Sequence, residues 1–141
     1  MRIRLRRLAA AVAASGLALA LAATLGGCAA GSGGYDGHPV ATFRVADEES
    51  YRIELATPEL VEHAQQLLAG EDVAAIPIGT VVRDEPGPNA PWSWHIDPAT
   101  LQFADLTTEV CDGLPSFVED GTVTSDQYCP WSAEVVAIDG L

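Results

Sequence analysis

The sequence contains no lysine, and arginine is scarce beyond its first seven residues. Four of the seven basic residues lie within residues 2–7, and the others are Arg44, Arg52 and Arg83. From residue 28 onward, three arginines stand against 20 acidic residues, a formal charge of −17. Binding to nucleic acid and electrostatic attraction to anionic lipid both depend on Lys and Arg, so this deficit argues against both classes. A strong negative field favours basic partner surfaces or divalent cations, although a merely solvated acidic surface explains it too.

Aromatic residues are also few, at 6% of the chain, and the three tryptophans are unevenly placed. Trp92 and Trp94 lie in Pro-Trp-Ser-Trp-His-Ile-Asp, and Trp131 lies in Cys-Pro-Trp-Ser. The triplet Pro-Trp-Ser therefore occurs twice. Because indole rings bury large areas, a core of Trp92, Trp94 and Trp131 with Phe43 and Phe103 around a disulfide is the simplest interpretation. The alternative is an aromatic patch that binds a partner, since Trp is enriched in binding hot spots.

The first 27 residues have the pattern of a secretory signal peptide. A start rich in arginine is followed by an apolar run, Leu8 to Leu25, and then by small residues. Leu25-Gly26-Gly27-Cys28 resembles the lipobox of bacterial lipoproteins. That resemblance implies cleavage before Cys28, lipidation of Cys28 and attachment to the extracytoplasmic face of the cell membrane. Residues 28–38 are glycine-rich and predict a flexible linker, and residues 39–141 form one domain.

Lipidation of Cys28 leaves Cys111 and Cys129 as a pair in an oxidising compartment. We expect a disulfide between them, enclosing 17 residues. Constraining a loop of that size contributes on the order of 3 kcal/mol to stability. A zinc site is the weaker alternative, because the two cysteines lack metal-binding spacing.

The hydrophobic pattern predicts an α+β domain with a mainly antiparallel sheet and one main helix. Residues 40–46 and 51–56 alternate like a β-hairpin. Thr57-Pro58 begins a helix over about residues 58–69, with an apolar stripe, and Gly70 ends it. Further strands are predicted over 73–82 (an edge or bulged strand, given Pro77 and Gly79), 92–97, 101–111 and 131–138, with a short helix near 115–120. No βαβ rhythm is present.

Several sequence blocks resemble a known family. They are Ala-Thr-Phe-Arg-Val at 41–45, Pro-Trp-Ser-Trp-His-Ile-Asp-Pro at 91–98, Phe-Ala-Asp at 103–105, Glu-Val-Cys-Asp-Gly-Leu-Pro-Ser at 109–116 and Tyr-Cys-Pro-Trp-Ser-Ala at 128–133. The chain resembles small exported bacterial proteins that share the N-terminal domain of an amoebal calmodulin-binding protein. The resemblance supports the fold and implies no catalytic or ligand-binding residue. Calmodulin binding is not supported, because the predicted helix carries Glu59 and Glu62 and no basic residue.

His95 and Asp97 lie two residues apart on one predicted strand face, so they are candidate binding residues. With Asp105, Glu109 and Asp112 they would offer one nitrogen and several oxygen ligands to a divalent cation. No calcium-loop or zinc-hydrolase motif accompanies them. No cofactor is indicated.

We therefore expect a membrane-anchored, acidic, non-enzymatic module that binds an extracytoplasmic protein or peptide, with inhibition of a secreted protease as one form. The candidate binding residues are Trp92, Trp94, His95, Asp97 and Trp131. A divalent-metal domain or metal-assisted enzyme using His95 and Asp97 is the alternative, and a structural envelope role is a third.

The lipobox generates a direct prediction. Intact mass spectrometry of the protein from its membrane is expected to show a chain that begins at Cys28 and carries acyl groups. In Cys28→Ser the acyl mass is expected to disappear. An unmodified amino terminus in the wild-type protein would contradict the lipoprotein interpretation.

Overall fold

A computed structural model describes residues 37–141, and the proposed signal peptide and most of the linker lie outside the described residues. The elements are strands β1 (Val40–Val45) and β2 (Glu49–Glu54), helix α1 (Pro58–Leu68), strands β3 (Ile76–Val82), β4 (His95–Ile96) and β5 (Gln102–Ala104), helix α2 (Pro115–Glu119), and strands β6 (Gln127–Tyr128) and β7 (Ala133–Asp139). Three short 3₁₀ turns cover 87–89, 98–100 and 109–111. This is the predicted α+β class, with every strand pairing antiparallel. None of the helices within residues 37–141 is both long and apolar enough to cross a bilayer.

The first sheet has the order β2-β1-β7 and contains the predicted hairpin. In β1, Val40, Ala41, Phe43 and Val45 are buried, whereas Arg44 is exposed. This alternation gives the sheet one face toward the core. A register shift between Thr42 and Phe43 lets β7 pair along the whole of β1.

Helix α1 begins and ends as its sequence predicts. The Thr57 hydroxyl accepts a hydrogen bond from the Leu60 N–H at 3.3 Å, and Pro58 takes the first helical position. Gly70 has φ +76°, a conformation that favours glycine, and its N–H donates to the Leu67 carbonyl. The predicted apolar stripe packs on the core except for Leu68, which is exposed.

Strand β3 is central in the second sheet, so the predicted edge strand over this segment is wrong in its placement. The segment β4 to β5 runs antiparallel along one side of β3, and β6 pairs on the other side. Thr80 bonds toward the β4 side and Val81 toward the β6 side. Pro77 therefore faces the β6 side beyond the end of β6, where a missing N–H breaks no ladder bond.

Gly79 allows the close approach of β3 and β4. A Cβ atom at Gly79 would overlap Cγ2 of Ile96. The glycine in this strand thus reflects close packing with a neighbouring side chain.

The core lies between the two sheets and is largely aromatic. Phe43 and Tyr51 of the first sheet contact the rings of Phe103, Trp94 and Tyr128 from the second, with ring centroids 5.3–6.3 Å apart. Trp94 and Phe43 are buried as predicted, and Tyr51 and Tyr128 were not foreseen as core residues. Aromatic pairs of this geometry add about 0.5–1.5 kcal/mol each beyond the area they bury.

Asn89 joins the loop before β4 to the first sheet. Its side chain is buried; Oδ1 accepts from the Arg52 N–H at 2.7 Å, and Nδ2 donates to the Trp94 carbonyl at 2.8 Å. Because buried backbone groups need partners, the amide holds the proline-rich loop over residues 84–91 against β2.

The two buried tyrosines give a matched test of the core. The Tyr128 hydroxyl donates to the Gly113 carbonyl at 2.9 Å, whereas the Tyr51 hydroxyl has no hydrogen-bond partner within the described residues. Tyr128→Phe is expected to lower the free energy of unfolding by about 1 kcal/mol, and Tyr51→Phe to leave it unchanged or raise it. Urea unfolding measures both. Equal losses in the two variants would contradict the assignment.

Stability is expected to fall above about pH 10. Burial raises the pKa of Tyr51 well above its usual 10.0, and burial followed by neighbouring negative charge raises the pKa of Tyr128 as well. The unfolded chain then loses protons that the folded domain keeps, so the free energy of unfolding is fully present below pH 10. It declines above that pH by about 1.4 kcal/mol per pH unit for each tyrosine.

The absence of lysine makes this measurement clean, since tyrosines are the principal groups that titrate there. In a Tyr35→Phe background, Tyr128→Phe is expected to halve the slope measured by urea unfolding between pH 9 and 11. A free energy of unfolding that is constant over this range would contradict the burial of the two hydroxyls.

Candidate functional site

The three tryptophans have three different environments. Trp94 is only 1% exposed and has no surface to offer a partner. Trp92 is half-buried, and its Nε1 donates to the Ser50 carbonyl at 2.9 Å, which ties the segment before β4 to the start of β2. Trp131 is 45% exposed, so its predicted place in the core is wrong. Of the doubled Pro-Trp-Ser triplets, only the second carries an accessible indole.

The structure places His95 and Asp97 in local structural contacts. Nδ1 of His95 lies 2.5 Å from the Glu85 carbonyl oxygen, and the Asp97 carboxylate accepts from the Ala99 N–H at 3.0 Å, where it caps a 3₁₀ turn. Within residues 37–141 no three His, Cys, Asp or Glu side chains come close enough together to hold a metal ion. The residues of the metal hypothesis, including Asp105, Glu109 and Asp112, are therefore not assembled into a ligand set.

His63, expected at the solvent edge of α1, packs instead. Its ring stacks on Phe103 with centroids 4.3 Å apart, and Nε2 lies 2.7 Å from the Ala74 carbonyl oxygen. This histidine helps to attach α1 to β5.

The exposed edge of Trp131 holds the loop that follows β5. Its Nε1 donates to the Thr107 hydroxyl at 2.5 Å, and its backbone N–H donates to the Asp112 carboxylate at 2.9 Å. The indole thus contacts the loop over residues 105–110 in its middle, while Asp112 fixes the position of Trp131 itself.

The predicted disulfide between Cys111 and Cys129 is present, with Cα atoms 5.1 Å apart. The Thr108 carbonyl oxygen lies 3.3 Å from Sγ of Cys111 and 3.5 Å from Sγ of Cys129. The Cys129 N–H also donates to the Cys111 carbonyl at 2.7 Å. The loop therefore ends at a cross-linked and hydrogen-bonded point of the scaffold.

This loop presents apolar side chains to solvent. Leu106 is 84% exposed and Val110 is 73% exposed, and both follow directly after an acidic residue, Asp105 and Glu109. We call Leu106, Thr107, Val110 and Trp131 the Trp131 surface. Exposed apolar side chains that cluster on a fixed loop are a feature of interaction sites rather than of ordinary protein surface.

A cavity of about 330 Å³ opens beside Trp131 and is lined by Arg44, Asp47 and Glu134 among others. Arg44 and Asp47 form an exposed ion pair at 3.8 Å. The charged groups around Trp131 are therefore mostly carboxylates.

Sequence reasoning identified Trp131 but missed Leu106 and Val110. It assigned the whole segment 101–111 to a strand, whereas β5 ends at Ala104 and a 3₁₀ turn occupies Glu109–Cys111. The available signal was a pair of apolar residues, each preceded by a carboxylate, directly before a cysteine.

The family assignment rests on the whole domain. The model of the family defined by the N-terminal domain of the amoebal calmodulin-binding protein matches residues 39–140. The chain belongs to this N-terminal domain family. No curated protein and no solved structure matches it significantly. The matched range contains both sheets, the disulfide and the whole Trp131 surface, so the candidate site is part of the family domain itself.

Proposed function

We propose that this protein is a lipid-anchored, non-enzymatic binding module on the extracytoplasmic face of the cell membrane. It engages an extracytoplasmic protein or peptide through the Trp131 surface. The observation that carries the proposal is the exposure of Leu106 and Val110 on a loop held by the Trp131 indole and the disulfide.

Physical reasons favour binding over catalysis. Burying apolar surface yields about 25 cal/mol per Å², so covering Leu106, Val110 and the open face of Trp131 would contribute several kcal/mol to association. A loop that is already ordered loses little conformational entropy when it binds. The candidate residues His95 and Asp97, in contrast, are engaged in turns and loops.

Charge indicates the kind of partner. Asp105 and Glu109 flank the apolar residues, and Glu134 lines the cavity on Trp131. With a formal charge of −17 over residues 28–141, the protein attracts basic surfaces and repels acidic ones. The expected partner therefore combines an apolar pocket with a basic rim.

The test is cross-linking of the full-length lipoprotein in intact envelopes, followed by identification of the partner and titration with the purified pair. The double variant Leu106→Asp/Val110→Asp is compared with Leu141→Asp. Leu141 is 70% exposed and follows β7, whose other end, Ala133, lies next to Trp131. The seven residues of β7 separate the two positions by roughly 20 Å.

The double variant is expected to weaken binding at least about 100-fold, with Leu141→Asp unchanged and the wild-type affinity falling as salt is raised. A partner that binds the double variant as tightly as the wild type would contradict the role of the Trp131 surface. An affinity that does not respond to salt would contradict the basic rim.

A further inference from the structure

We propose that the loop over residues 105–110 binds in the active-site cleft of an extracytoplasmic serine peptidase and inhibits it, with Leu106 in an apolar specificity pocket. This inference rests on the proposed function and names the class of its partner.

The backbone of the loop has the form that a peptidase cleft accepts. Between the end of β5 at Ala104 and the turn that starts at Glu109, the chain belongs to no helix or strand. Thr108 is extended, with φ −101° and ψ 152°. Leu106 lies near the middle of this stretch and is the most exposed of the large apolar residues described. An exposed, extended segment with one projecting side chain can enter a cleft that binds substrates in the same form.

Both sides of the Leu106–Thr107 peptide bond are attached to the scaffold. On the amino side, Phe103 and Ala104 pair with Pro77 and Ile76 of β3. On the carboxyl side, the Trp131 indole holds Thr107, and the Thr108 carbonyl rests against the disulfide.

These attachments explain how a substrate-like loop would inhibit rather than be consumed. Hydrolysis adds one water across the Leu106–Thr107 bond and leaves a carboxylate on Leu106 and an amino group on Thr107. Since each new end stays fixed by its own contacts, the fragments are not released, and the cleft remains occupied. Ordering of the loop before binding also lowers the entropic cost of association.

The side chain and its neighbours define the peptidase. Leucine fits an apolar pocket and not the acidic pocket that selects Lys or Arg. Asp105 and Glu109 favour a cleft with a basic rim.

The first test titrates the full-length, detergent-solubilised protein against chymotrypsin and subtilisin, which have apolar pockets, and against trypsin. We expect inhibition of the first two and not of trypsin. Leu106→Arg is expected to lose at least about 100-fold against chymotrypsin and to gain inhibition of trypsin. Leu141→Asp serves as the control and is expected to match the wild type.

The second test concerns positioning by Trp131. Thr107→Val keeps the shape of the side chain and removes the acceptor for the indole N–H. We expect this variant to be cleaved after Leu106 faster than the wild type, as detected by mass spectrometry, with its melting temperature nearly unchanged because the contact is exposed. A merely structural role for Thr107 would move the melting temperature and leave cleavage unaffected.

Failure of the wild type to inhibit chymotrypsin and subtilisin would overturn the inference. So would inhibition that Leu106→Arg leaves unchanged, or cleavage of the wild-type loop as fast as a linear peptide. Cross-linking to a partner that is not a peptidase, with loss in Leu106→Asp/Val110→Asp, would overturn the inference and leave the binding function supported.

Discussion

The disulfide between Cys111 and Cys129 is the constraint on which the candidate site depends. It joins the end of the loop over residues 105–110 to the segment that carries Trp131, two residues beyond Cys129. The indole then reaches back to Thr107, and the Thr108 carbonyl lies against the sulfur atoms. A cross-link of this span contributes on the order of 3 kcal/mol to stability. Its second effect is local: it allows apolar side chains to stand exposed without the loop collapsing onto the core.

The division of work among the tryptophans follows from this arrangement. Trp94 fills the aromatic core between the sheets, Trp92 fastens the loop before β4 to the first sheet, and Trp131 supports the exposed loop. The scarce basic residues are also used in structure. The Arg83 guanidinium donates to the carbonyls of Val118 and Val123 around the end of α2, and Arg44 pairs with Asp47. The acidic surface thus has little internal compensation, which makes it available to a basic partner.

Elements set by local chemistry could be predicted from the sequence. The hairpin follows from alternation, and α1 follows from its Thr57 cap, Pro58 and Gly70. The disulfide follows from counting thiols. The second sheet could be located only in part, because β4, β5 and β6 have two or three residues each and are defined by pairing with β3 rather than by their own pattern. The link through Asn89 and the exposure of Leu106 depend on contacts between distant segments, for which the sequence offers no periodic signal.

The central claim is that the loop carrying Leu106 and Val110 is rigid although it is exposed. Backbone ¹⁵N relaxation of the oxidised protein measures this most directly. The account predicts order parameters for Leu106, Thr107 and Val110 close to the value of about 0.85 that is typical of rigid backbone. Values below about 0.6 at these three amides, with core amides rigid in the same sample, would show a flexible loop and contradict the account.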